Sequence, residues 1–239
     1  MLYLKLLKIR LFQCLGMFIF TKKYLMIFPE FIYKLEKRLK SPLPGVNAQL
    51  LMGSDIRMKD FVFKQIDDSS KKSGVMILLY PHKKCIYSTF IKRAEYNGAH
   101  SGQIALPGGK FEIIDKNLVN TALRETSEEI GIDASNIHIL GQLSQLYIPP
   151  SNYIVYPSIG YLSYKPSFIP DKTEVEMVIE YDILDLLKKE TIKTKEFIMK
   201  SGFKFNAPYY NINEHVVWGA TAMIISEFTQ ILKEIYISE

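Results

Sequence analysis

The chain is short of the residues that build covalently stapled or zinc-stapled folds: its 239 residues include two cysteines, Cys14 and Cys85, and four histidines. The cysteines stand far apart and in no metal-binding or redox spacing, which excludes a disulfide scaffold and a zinc cluster, and a reducing cytoplasm is the expected compartment. Long apolar runs are also missing. The stretch from Leu11 to Phe20 falls well short of the roughly 20 residues that a helix needs to cross a bilayer, so no stable membrane span is expected. No internal repeat, low-complexity tract or basic aromatic stripe appears, which argues against solenoids, disordered tails and nucleic-acid binding. A net charge of +5 suits an anionic ligand but is too small to name one.

What is present suits one substantial soluble domain, because a hydrophobic fraction of 48% can fill a core while a charged fraction of 23% covers it. Residues 1–25 stand apart. They hold no acidic residue and carry Lys5, Lys8, Arg10, Lys22 and Lys23 around the apolar stretch. Three readings stay open: a basic amphipathic extension, an upstream start with the protein beginning at Met26, or an export signal, although no small-x-small cleavage site follows. An N-terminal helix and arm over residues 26–60 and a main domain over 61–239 complete the expected division.

Apolar residues at helical spacing predict a helix from Phe28 to Leu39, broken by Ser41, Pro42, Pro44 and Gly45. Val75 to Tyr80 and Cys85 to Ile91 read as paired core strands joined through His82, Lys83 and Lys84. A helix is expected from Asn117 to Ile130, stopped by Gly131. Strands are expected over Ile137 to Tyr147 and Tyr153 to Leu162, a helix over Asp182 to Lys189, strands around Ile192 to Met199 and Gly202 to Phe205, and a closing helix from Trp218 to Ile235. Trp218 reads as packing. This order has no regular βαβ repeat and points to an α+β fold.

The chemistry concentrates between Gly108 and Ile132. On a wheel of about 100 degrees per residue, with Glu125 at zero, Glu128 falls at about −60 degrees and Glu129 at about +40 degrees. Three carboxylates therefore share one arc. Val119, Ala122, Leu123, Thr126 and Ile130 fall between about +60 and +160 degrees, a separate face for docking on a sheet. Like charges so placed cost roughly 0.2–0.5 kcal/mol per pair and call for a countercharge, from Arg124 or from a hard divalent cation such as Mg²⁺ or Mn²⁺. An acidic cluster alone is usually a solvated face. The preceding Leu106, Pro107, Gly108, Gly109 changes that, because paired glycines allow a tight path and close approach to an anionic ligand. Together they supply the parts for metal-assisted hydrolysis of a diphosphate.

These residues resemble a known family. Gly109, Asp115, Arg124, Glu125, Glu128, Glu129 and Gly131 are similar to the Nudix box, with Asp115 in place of its first glutamate, one extra residue before Arg124, and Thr126 at an apolar position. The form with a GGK turn followed by two acidic positions, here Glu112 and Asp115, looks like the coenzyme A diphosphatase branch of bacterial type. Upstream, Phe90, Arg93, Ala94, Gly102, Ile104, Leu106, Pro107, Gly108 and Gly109 are similar to that branch's pattern, while Gly98 stands where the pattern has a second arginine. Further similarity runs through Val46 to Met52, Tyr147 to Pro157, Thr173 to Val175 and His215 to Ala222.

The resemblance implies an α/β/α sandwich with a mixed sheet between helices. It also implies hydrolysis of the diphosphate of coenzyme A or its derivatives to 3′,5′-ADP and 4′-phosphopantetheine. Glu125, Glu128 and Glu129 are the expected metal ligands for Mg²⁺ or Mn²⁺. Arg124 is expected to orient Glu125 or the loop by a salt bridge, and Asp115 to cap a loop or act as an outer ligand. Gly108 and Gly109 are expected to help position metal and phosphate. Glu174 is the leading general base outside the helix, or else a charge flanking an edge strand. Arg93 and His100 are candidates for the nucleotide or its phosphates, with Lys92, Arg93 or His100 able to stand in for the arginine absent at Gly98. Tyr147, Pro149, Pro150 and Tyr153 read as core and turn, or as the pantetheine side of a cleft. A small-molecule partner is expected, and a homodimer is left open. Two other readings remain: a Nudix hydrolase of another nucleoside diphosphate derivative such as ADP-ribose, and a catalytically silent nucleotide-binding module.

Overall fold

A computed structural model describes residues 26–55, 69–95, 101–199 and 202–237. The extension 1–25, the segment 56–68, Gly98 and His100 lie outside the described residues.

The fold is α+β, built on a mixed sheet. Strand β1 (Lys71–His82) turns back into β2 (Cys85–Arg93) through Lys83 and Lys84, both at positive φ (48° and 66°), the geometry of a two-residue hairpin turn. The two strands pair only from Leu79↔Ser88 to His82↔Cys85. Beyond that they part, and β3 (Ile104–Ala105) pairs the end of β2 while β4 (Gly108–Lys110) pairs the start of β1. The Gly108, Gly109 turn is thus wedged into a split in the sheet, held also by the Met76 amide, which donates to the Pro107 carbonyl at 2.8 Å.

On the far side of β1 lies β7 (Tyr153–Tyr161), in parallel, flanked by β5 (His138–Gln142) and β6 (Leu146–Ile148). Strand β8 (Val175–Asp182) lines the free flank of β2. It ends at Asp182, where a helix to Lys189 is expected to begin. That helix does not form: the Asp182 carboxylate accepts the Leu184 amide at 3.0 Å, and the chain runs on as two 3₁₀ turns, Ile183–Leu187 and Lys189–Thr191. The spacing of Ile183, Leu186 and Leu187 is apolar enough for a helix, yet side-chain competition for the first amides favours the tighter turn.

Side chains alternate across β1, as a strand requires. Met76, Leu78 and Tyr80 pack beneath helix α3 (Leu118–Ile130) with Ala122 and Ile130. Ile77 and Leu79 face helices α1 (Phe28–Leu39) and α4 (Gly219–Ile237) through Phe31, Leu35 and Phe228. The sheet is therefore sandwiched between helices. The N-terminal segment belongs to this core: in the short α2 (Gly45–Leu50), Gly45 and Gln49 donate to the fully buried Glu227 carboxylate of α4, each at 3.0 Å.

A second, three-stranded antiparallel sheet follows, made of β9 (Ile192–Ile198), β10 (Lys204–Ile212) and β11 (His215–Val217). Strand β10 runs well beyond the expected Gly202 to Phe205. Trp218 precedes α4 and stacks on Phe197, centroids 4.4 Å apart. Among the described residues no helix is long and apolar enough to cross a membrane.

Candidate active site

Helix α3 begins where Asn117 offers its side-chain oxygen to the Asn120 amide at 2.9 Å and ends at Gly131, which takes a left-handed φ of 71°. Fixing both ends fixes the rotation of the helix about its axis. The apolar side turns to β1, and the adjacent arc with Glu125 and Glu129 turns to the Gly108, Gly109 turn. The Gly108 amide donates to Glu129 Oε2 at 2.8 Å. Gly109 passes so close to Glu125 that a Cβ there would collide with its carboxylate, so glycine at 109 is what lets that carboxylate lie against the turn.

The three glutamates differ in surroundings. The Glu129 side chain is 2% exposed, and its pKa is pushed up to about 8, chiefly by burial; the Gly108 amide and the Arg93 guanidinium oppose this, while Glu125 and Glu174 add to it. Burial also raises Glu125, against the pull of Arg124. Glu128 is 57% exposed and points to Arg124.

Arg124 is the hub of the acidic face. Its guanidinium donates to Asp115 Oδ1 at 2.7 Å, to Glu128 Oε2 at 2.8 Å and to the Lys110 carbonyl at 3.1 Å, and lies 3.0 Å from Glu125 Oε1. Asp115 is buried and also accepts from the Thr121 hydroxyl and the Glu112 amide, each at 2.9 Å. The Arg124 bond foremost, with these others, holds its pKa down at about 2. Asp115 therefore caps the loop and anchors the arginine.

A strap over residues 163–174 closes the C-terminal end of α3. Ile169 and Asp171 donate backbone amides to the Ile130 and Glu129 carbonyls at 3.0 and 3.1 Å, against Gly131, where a Cβ would press on Ile169. Lys165 reaches Glu180 at 3.0 Å, and Phe168 packs edge-on to Tyr80. Asp171 Oδ1 then accepts both the amide and the hydroxyl of Thr173 at 2.8 Å, a tight turn that delivers Glu174. The Glu174 carbonyl accepts the Ala94 amide at 2.8 Å, next to Arg93. Glu174 is exposed, and its charge is felt by both Glu125 and Glu129. Reading the chain alone missed this strap, although its Asp-x-Thr signature was present.

Arg93 lies 3.7 Å from Glu129 Oε1, and its Nε is buried without a hydrogen-bond partner among the described residues. Lys92, on the next position, points the other way and pairs with Glu176 at 2.6 Å. Tyr147 donates to Asn152 at 2.9 Å across the turn that holds Pro149 and Pro150, and Tyr153 lies beneath Lys71.

The donor set fits a hard divalent cation. Two crowded carboxylates, one deeply buried, meet at a glycine cradle, and a cation would offset the cost of keeping them charged. Among the described residues no three acidic, histidine or cysteine groups are already gathered around one point, because Arg124 holds Glu128 to the side.

The NUDIX domain matches residues 71–200. The chain is 29% identical to the Nudix hydrolase NudL of Photorhabdus laumondii over 70% of its own length and 88% of the relative's. It is 32% identical to the mouse mitochondrial coenzyme A diphosphatase NUDT8 over 65% of this chain and 70% of that protein. The human NUDT8 is 31% identical over 66% of this chain, which spans 64% of the human protein. Among solved structures, the Nudix hydrolase RenU of Mycobacterium smegmatis superposes with a TM-score of 0.47 at 12% identity, covering 71% of this chain and 87% of that one. With a domain match across more than half its length and the box glutamates set against the glycine turn, this chain belongs to the Nudix hydrolase family.

Proposed function

We propose that this hydrolase cleaves the diphosphate bond of coenzyme A or its derivatives, with Mg²⁺ or Mn²⁺ held by Glu125, Glu128 and Glu129. The observation that carries this reading is the similarity to the two mitochondrial coenzyme A diphosphatases. Bound cations would neutralise the diphosphate oxygens and make a bound water more acidic. Arg124 keeps Glu125 in place, and freeing the exposed Glu128 from it requires only a surface side chain to turn. The Arg93 Nε, buried and without a hydrogen-bond partner among the described residues, is suited to a phosphate oxygen. Gly108 and Gly109 keep the turn close to the carboxylates that would hold the cation. Glu174, exposed and with its charge felt by the helix carboxylates, would accept a proton from the attacking water. His100 is assigned to the nucleotide side on the family resemblance.

The test is a substrate panel with Mg²⁺ or Mn²⁺, comparing coenzyme A, acetyl-coenzyme A, ADP-ribose and dinucleotides with products identified by mass. Release of 4′-phosphopantetheine or its acyl form is the expected result. Gly98, in place of the branch's second arginine, favours a second reading, in which another nucleoside diphosphate derivative such as ADP-ribose is turned over faster. No turnover on any member would leave a silent nucleotide-binding module.

A further inference from the structure

In the small sheet, Lys193 lies opposite Tyr209, Lys195 opposite Ala207 and Phe197 opposite Phe205, so these residues share one face, and Val216, opposite Asn211, carries the same face on to Trp218. The rings gather there. Phe197 and Phe205 stack at 5.6 Å, and Trp218 lies 4.4 Å from the first and 5.8 Å from the second. Lys195 Nζ sits 4.8 Å over Phe197 and 5.7 Å from the Tyr209 ring. The acidic residue of β9, Glu196, alternates to the opposite face and pairs with Lys204 at 3.0 Å. Among the described residues of the three strands, the aromatic face therefore holds two exposed ammonium groups and no carboxylate, with its four rings half-buried.

This composition selects its ligand. An apolar peptide would leave both ammonium groups without a counterion, and a simple anion would leave the rings unused. A nucleobase with attached phosphates uses both, stacking on the rings and placing its anions on the lysines. Position points the same way. Val217, just before Trp218, is buried with Ile104 and Leu106, and β11 lies against β3. From Ile104 to Gly108 is at most about 14 Å of extended chain. Strand β11, which leads into Trp218, is thus a neighbour of the segment that runs into the catalytic turn, and β10, β11 and Trp218 lie past the residues matched by the NUDIX domain.

We infer that this face is a subsite for the nucleotide half of the substrate, with the base against Trp218, Phe197 and Phe205 and the phosphates against Lys193 and Lys195. Its role in turnover rests on the diphosphatase reading; its binding chemistry does not.

Trp218 is the chain's single tryptophan, so its fluorescence reports on this face alone. Titrating the protein in chelator with adenosine 3′,5′-bisphosphate should give saturable quenching. Adenosine and ribose 5-phosphate, each with half of the recognised chemistry, should bind at least about tenfold more weakly. The double variant Lys193→Ala/Lys195→Ala should weaken the bisphosphate by a similar factor with its melting temperature unchanged, and Lys204→Ala on the opposite face should bind like wild type. The inference is overturned if the bisphosphate does not quench, if the lysine pair can be removed without effect, or if an oligoadenylate binds while the mononucleotide does not. A substrate panel without turnover alongside intact quenching would sink the hydrolase reading and leave the subsite standing.

Discussion

The Gly108 amide and the Glu129 carboxylate, 2.8 Å apart, join the glycine turn to the box helix through a buried hydrogen bond. Glu129→Gln keeps an acceptor oxygen for that bond and removes the negative charge, so it separates structure from chemistry. Turnover should fall by roughly two orders of magnitude or more, the scale on which one preorganised electrostatic group acts, while the melting temperature holds or rises. Steady-state kinetics and thermal unfolding on the same preparation check this. A variant that keeps most of its activity removes Glu129 from the site.

The close pass of Gly109 over Glu125 gives a complementary prediction. Gly109→Ala places a methyl group on the carboxylate, which cannot retreat without leaving Arg124. Because that carboxylate is the end of a flexible side chain, stability should change little, while the displaced carboxylate should lower kcat. Denaturant unfolding reads the first effect and initial rates the second. Wild-type activity in Gly109→Ala would show that the turn has no part in seating Glu125.

Helix α3 was legible in the sequence because its determinants are local: a cap at Asn117, a stop at Gly131 and a clean apolar arc between them. The first hairpin was legible for the same reason. Strand β8 was not, since a register shift at Lys92/Arg93 interrupts its pairing, and the ion-pair partners of Glu176 and Glu180, Lys92 and Lys165, lie outside the strand. The three glutamates could be found by spacing, but their inequality could not. That only Glu129 is deeply buried depends on the split between β1 and β2. The Lys193, Lys195, Trp218 face was invisible for a related reason, because it exists only once strand register brings alternate residues of three strands together.

Asp115 and Arg124 yield a pH prediction with a definite sign. The folded pKa of Asp115, about 2, lies below the roughly 3.9 of an unfolded aspartate. A carboxylate depressed on folding contributes stability that is fully present above the unfolded value and is lost as pH falls through the folded one. Asp115→Asn should therefore cost about 1.5–3 kcal/mol near neutral pH, the usual range for hydrogen bonds to a charged group. The gap between variant and wild type should narrow from about pH 4 downward and close near pH 2. Urea unfolding across that range measures it. A gap that is constant with pH would mean that the Asp115 charge contributes nothing through Arg124.

The strap makes Asp171 a positioning residue for Glu174. Its one oxygen accepts both Thr173 donors, and its own amide is tied to the Glu129 carbonyl, so the turn carries Glu174 in a fixed relation to the box helix. Asp171→Ala frees that turn, whereas Asp171→Asn keeps an oxygen that accepts the same two bonds. If Glu174 is the general base, Glu174→Gln should lower kcat by about 10²–10⁴-fold with KM little changed. Asp171→Ala should lower kcat by a smaller factor, again without raising KM, and Asp171→Asn should restore most of it. In the Glu174→Gln background, Asp171→Ala should have almost no further effect, because there is no longer a base to position. Additive losses would place Asp171 in general stability instead. A fully active Glu174→Gln would move the base back onto the box helix.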